Sequence, residues 1–98
     1  MNITLNHSSR TAETPQGTVH LTPREFEILD YLIDHSGTCV SPEELYQYIW
    51  QAVPFECRPV IAVHIRHIRE KIEINPAEPR YIKVIFGQGY MIQEDKRR

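Results

Sequence analysis

Residues 59 to 74 read Pro59-Val60-Ile61-Ala62-Val63-His64-Ile65-Arg66-His67-Ile68-Arg69-Glu70-Lys71-Ile72-Glu73-Ile74. Ile61, Ile65, Ile68 and Ile72 are spaced four, three and four apart, which at about 100° per residue gathers them into one narrow wedge of a helix facing a core. Ala62, Arg66 and Arg69 then project a quarter turn or more away, together with Glu73, and Val63, His67 and Glu70 lie beyond them. Arg66, His67 and Arg69 thus protrude as a group. Pro59 suits the first turn and Asn75-Pro76 ends the helix, but no Ser, Thr, Asp or Asn stands at its N-cap.

Toward the N-terminus, Thr22-Pro23-Arg24-Glu25 announces another helix. Thr22 is the N-cap, Pro23 takes the first helical position, Glu25 is placed to bond back, and Leu21 faces Phe26 as a hydrophobic staple. Phe26, Leu29, Leu32 and Ile33 form its expected buried stripe, with Glu27, Asp30 and Asp34 on the wet side and Gly37 as the stop, giving a helix over about 23–35. The same syntax returns at Ser41-Pro42-Glu43-Glu44, where a second capping box with a Val40–Leu45 staple opens a helix through Leu45, Tyr48, Ile49 and Trp50. The loop that follows, Gln51-Ala52-Val53-Pro54-Phe55-Glu56-Cys57, has an apolar tip where polar residues would be expected.

Strand signals flank this helical block. Ile3-Thr4-Leu5 and Thr18-Val19-His20-Leu21 alternate around turns at 7–10 and 14–17, which favours a small antiparallel sheet within residues 1–21. Beyond the third helix, residues 81–85 and 90–92 are rich in β-formers, and Phe86-Gly87-Gln88-Gly89 between them has the glycines of a tight turn. The expected organisation is one α+β domain over 1–98: N-terminal strands to 21, three helices over 22–74 and a hairpin over 81–93.

The chain has 98 residues, 41 % apolar and 24 % charged, so a folded core is expected. Its formal charge of −2 speaks against a generally basic coat. That average conceals two unlike halves: residues 1–57 hold two Lys/Arg against eight acids, net −6, whereas residues 58–98 hold nine against five, net +4. Cys39 and Cys57 are too few for a disulfide scaffold and fit reduced thiols in a cytoplasmic protein. No stretch has the composition of a signal peptide or a membrane span. Cys57, His64 and His67 lack the spacing of a metal motif, and no nucleophile–base pair or phosphate loop stands out; neither a cofactor nor catalysis is expected.

Strands, three helices and a terminal hairpin make the order of a winged helix-turn-helix. Leu21-Thr22-Pro23-Arg24-Glu25-Phe26, the run Val63 to Ile72 quoted above, and Gly87-Gln88-Gly89-Tyr90 together resemble the C-terminal effector domain of OmpR/PhoB-type response regulators over nearly the whole chain. The resemblance implies double-stranded DNA as partner, with the third helix in the major groove and the hairpin wing near the minor groove. It places Arg66, His67 and Arg69 toward DNA, with Ala62 and Val63 on the same helix, Arg58 near its start, Lys71 and Lys83 as further phosphate partners, Trp50 and Tyr90 approaching phosphates, and Gln88 on the wing. It also implies that Gln51, Val53, Pro54, Phe55 and Glu56 face RNA polymerase, and that two copies bind tandem half-sites head to tail. His64 matches a position that packs.

The chain departs from the family pattern in several places. Ala62 stands where an aspartate is usual, Pro59 where a polar or basic residue is usual, and Val84 and Phe86 replace the wing's usual threonine and arginine. For Phe86, packing or a protein contact is the expected role. The usual first strand of the N-terminal sheet and the receiver domain that normally precedes this module are expected to be absent. Val84, Phe86 and the acidic total motivate an alternative, a winged-helix protein-interaction module with weak or no DNA affinity.

Overall fold

The computed structural model describes residues 3–93. Three short strands, β1 (Thr4–Asn6), β2 (Thr11–Thr14) and β3 (Gly17–His20), form an antiparallel sheet in the order β1-β2-β3, with Ala12 opposite both Leu5 and Val19. Helices α1 (Pro23–Asp34), α2 (Pro42–Trp50) and α3 (Arg58–Ile72) follow, then the hairpin β4 (Ile82–Ile85) and β5 (Gly89–Ile92).

The start of α1 forms by the expected reciprocal capping. Thr22 Oγ1 accepts the Glu25 N–H, and the Glu25 carboxylate accepts the Thr22 N–H at 3.0 Å. Its buried stripe differs by one position: Ile28 is fully buried, whereas Ile33 is only half-buried. Several packing neighbours explain the shift, because α1 is contacted by α2, α3 and β5 and so buries a broader face than one seam needs. At α2 only half of the expected capping box is made. Ser41 Oγ accepts the Glu44 N–H, but the Glu44 carboxylate turns outward and accepts the Tyr31 hydroxyl of α1. Tyr48 lies on the outer face of α2 and is exposed. Gln51 stops α2 in the left-handed conformation, at φ 54°.

Helix α3 begins at Arg58 after Cys57, whose side chain makes no cap bond, and ends at Ile72 rather than 74. It stops there because Glu73 turns to extended backbone and its carboxylate accepts the N–H groups of Arg80, Tyr81 and Ile82 at 2.6–3.2 Å. Far from projecting with the arginines, Glu73 is buried. Its side chain fastens the end of α3 to the start of the wing.

The hairpin is held from its other side by the α1–α2 connection. Val40 and Tyr90 exchange both backbone hydrogen bonds, at 2.8 and 2.9 Å, and the Gly37 N–H bonds the Ile92 carbonyl. Gly89 lies directly against the Val40 carbonyl, with no room for a Cβ. Ile82 and Ile92, paired across the hairpin, close the core over Leu29, Leu32, Val40, Leu45 and the four isoleucines of α3, while Ile3 and Ala12 seal it from the N-terminal sheet.

Candidate nucleic-acid interface

With its isoleucine wedge buried, α3 turns Pro59, Ala62, Val63, Arg66 and Glu70 to solvent. Ala62 is small and Val63 half-exposed, so the middle of this face is low and apolar and Arg66 stands out from it. Among the described residues no carboxylate pairs with Arg66; its guanidinium lies 3.5 Å from the His67 Nε2 on the same face. His67 is half-buried and close enough to Glu25 of α1 for its charge to be felt there.

Three other cations expected on this surface have partners within the chain. Arg58 forms a two-pronged pair with Glu43 of α2, Nε to Oε2 at 2.9 Å and an outer nitrogen to Oε1 at 3.2 Å. The backbone amide of Glu43 itself and, second, the Arg58 guanidinium hold the Glu43 carboxyl below the usual range. Lys71 Nζ donates to Glu25 Oε1 at 2.6 Å. Arg69 is half-buried between α3 and the wing and donates to the Ile82 carbonyl at 3.0 Å, while its Nε is buried with no hydrogen-bond partner. Within the described fold, then, Arg58 and Lys71 are ion-paired and Arg69 ties α3 to β4.

Trp50 is half-buried in an aromatic stack rather than standing alone. Its ring lies parallel to Tyr46 at 4.8 Å, His64 meets it edge-on at 5.4 Å, and the Arg24 guanidinium covers it at 4.7 Å. Arg24 is also tied to Glu27 and the Ile49 carbonyl. His64 Nδ1–H donates to the Val60 carbonyl at 2.8 Å, so the imidazole is held against its own helix. Tyr90 is half-buried at the base of the wing, its backbone bound to Val40.

On the wing, Lys83, Val84, Phe86 and Gln88 are exposed, and Phe86 is 97 % exposed at the turn. The expected packing of Phe86 against the core is not made, because the turn carries it beyond the reach of Ile82 and Ile92. Arg80, which the sequence pattern did not single out, lines a shallow concavity with Lys83, Ile74 and Glu78. Its only sequence signal was a cation next to a proline-rich connection. In the α2–α3 loop, Gln51, Val53, Phe55 and Glu56 are exposed, Val53 at 82 % and Phe55 at 76 %, while Pro54 is half-buried.

Both cysteines are free thiols, Cys57 buried and Cys39 half-buried. Among the described residues no three His, Cys, Asp or Glu side chains gather closely enough for a metal, and no helix is long and apolar enough to cross a membrane.

Residues 16–92 match the family described as "Transcriptional regulatory protein, C terminal". The chain is 41 % identical over 76 residues to the DNA-binding dual master transcriptional regulator RpaA of Synechocystis, covering 78 % of this chain and 32 % of that protein. It thus spans about a third of the length of the curated relatives it matches. Among solved structures, the Thermotoga maritima response regulator DrrB, an OmpR/PhoB homologue, superposes with a TM-score of 0.83 at 35 % identity, over 96 % of this chain and 42 % of that one. The DNA-binding domain of CpxR from E. coli superposes with a TM-score of 0.78 at 28 % identity, over 94 % and 90 %. A winged helix with these motifs, matched over most of its length by that family, belongs to the C-terminal effector domains of OmpR/PhoB-type transcriptional regulators.

Proposed function

We propose that this chain binds double-stranded DNA sequence-specifically as the effector domain of a two-component transcriptional regulator, with α3 in the major groove and β4–β5 beside the adjacent minor groove. The observation that carries the reading is the outer face of α3, where Arg66 projects, with no carboxylate partner among the described residues, from the low surface of Ala62 and Val63. A helix fits the major groove, and a guanidinium there can bond guanine O6 and N7 in bidentate fashion. Arg66 is the base reader in this proposal, His67 and Gln88 are secondary contacts, Arg80 and Lys83 hold phosphates, and Trp50 and Tyr90 back the strand between them.

The exposed Val53 and Phe55 support a protein contact for the α2–α3 loop, with RNA polymerase as the partner. A head-to-tail pair on tandem half-sites and a cytoplasmic setting complete the proposal. Selecting bound duplexes from a random library should return one half-site, repeated at a fixed spacing. On that site Arg66→Ala should cost about 1–3 kcal/mol and relax preference at one base pair, with little effect on random duplex. Equal losses on every sequence would remove Arg66 from base reading.

A further inference from the structure

The turn of the wing carries a side chain that the fold leaves with nothing to do. Phe86 is 97 % exposed and Val84, two residues earlier on β4, is 61 % exposed, on a hairpin fixed at its base by Arg69, by Glu73 and by the Val40–Tyr90 pairing. Ile85 accepts the Gln88 N–H at 2.9 Å, so Phe86-Gly87-Gln88 is a closed, hydrogen-bonded tip that presents one ring and one carboxamide to solvent. Gly87 holds φ 77°, the left-handed conformation such a tip requires.

Charge indicates what this tip meets. The stretch 82–92 contains Lys83 and no carboxylate, in a chain with 13 Asp and Glu. An apolar tip free of negative charge can approach a polyanion without repulsion. The pairing of an apolar wedge with a carboxamide is also the chemistry of minor-groove recognition, in which the wedge unstacks a base step and the amide bonds the acceptors of A·T pairs.

We propose that Phe86 is a minor-groove wedge that inserts at a flexible base step and bends the DNA, with Gln88 favouring A·T pairs beside it. This rests on the DNA-binding reading above. The wing thereby replaces charge-based grip with insertion, and pyrimidine–purine steps such as TA, the easiest to unstack, become the preferred wing site.

The test uses the 98-residue chain and end-labelled duplexes carrying the selected half-site, with bending read by energy transfer between the ends. The unaltered chain should bend the duplex by about 20° or more. Phe86→Ala should abolish most of the bend and weaken binding roughly tenfold, within the range known for lost base–aromatic stacking. Because no phosphate contact is lost, the slope of log K against log salt should not change, whereas Phe86→Arg should bind with little bend and steepen it by about 0.9. A TA step replaced by GC at the wing position should mimic Phe86→Ala. Phe86 makes no core contact, so unfolding temperatures should match.

A straight duplex in the unaltered complex, or full affinity and bend with Phe86→Ala, overturns the wedge. If Phe86→Ala instead abolishes association between copies while DNA binding is intact, the ring is a protein contact and the proposal fails. If the unaltered chain selects no duplex, the DNA-binding reading falls and the wedge with it. The Arg66→Ala variant separates the two, since it removes site preference and leaves Phe86 in place.

Discussion

Glu25 performs two tasks with a single carboxylate oxygen. Oε1 accepts the Thr22 N–H, completing the start of α1, and also receives Lys71 Nζ from the last turn of α3, so a helix cap becomes a tie between helices. Burial pushes this carboxyl up, but Lys71, the Thr22 amide and the nearby His67 outweigh it and bring it below its ordinary value of 4.5. A carboxyl depressed by folding adds stability that is fully present above the unfolded value and is lost as pH falls through the folded one. The contribution of Glu25 should therefore hold down to about pH 4.5 and be lost below it, and Glu25→Gln should flatten that part of the fall in acid titrations of the unfolding midpoint. At neutral pH, Lys71→Met should cost about 1–3 kcal/mol, because it leaves a buried carboxylate with one amide donor. An unchanged acid limb in Glu25→Gln would exclude Glu25 as its source.

At the scale of elements, the relation between α3 and the wing rests on two groups from the end of one helix. Glu73 takes the first N–H groups of the strand and Arg69 takes the Ile82 carbonyl, so the helix that offers Arg66 and the hairpin that offers Phe86 are bound as one unit. Glu73→Ala leaves buried amides without acceptors and should lower stability by about 1–3 kcal/mol. Hydrogen exchange should be fastest to increase at Tyr81 and Ile82, and protection there equal to that of the unaltered chain would show that other groups hold the junction. The α2–α3 connection is set by different means. Gln51 and Glu56 both adopt left-handed backbone without glycine, at φ 54° and 50°, and between them Val53 and Phe55 are pushed into solvent.

Across the whole molecule, the division of charge between an acidic N-terminal and a basic C-terminal half does not show which cations are already paired within the fold. Counting Arg58, Arg66, Arg69, Lys71 and Lys83 would give a slope of about −4 to −5 in log K against log salt. With Arg58 and Lys71 paired internally and Arg69 tying α3 to the wing, Arg66, Arg80 and Lys83 remain among the described residues of α3 and the wing, and they should contribute about −3 to the slope for one copy on one half-site. Glu43→Gln should release Arg58 and steepen it by about 0.9, together with tighter binding at low salt. A slope of −3 with no change in Glu43→Gln would place Arg58 away from the phosphates. In the proposed tandem arrangement, a second copy would add affinity through effective concentration rather than new contacts.

The periodicities and caps of the chain determined its elements, because local chemistry is sufficient to start a helix at Thr22 or Ser41, to bury Ile61, Ile65, Ile68 and Ile72 together, and to turn a strand at Gly87. The same local reading located the outer face of α3 and Arg66 on it, and its motifs carried the family. Only the tertiary structure decided which charges pair within the fold. Glu43 and Arg58 are 15 residues apart and Glu25 and Lys71 are 46 apart, and no helical period relates them. Glu73 had the angular position of an exposed residue, yet burial beneath the incoming strand made it an acceptor for three backbone amides. Phe86 had the composition of a core residue, yet the turn left it in water. Spacing along one helix fixes direction, whereas pairing and exposure depend on what the rest of the chain brings alongside.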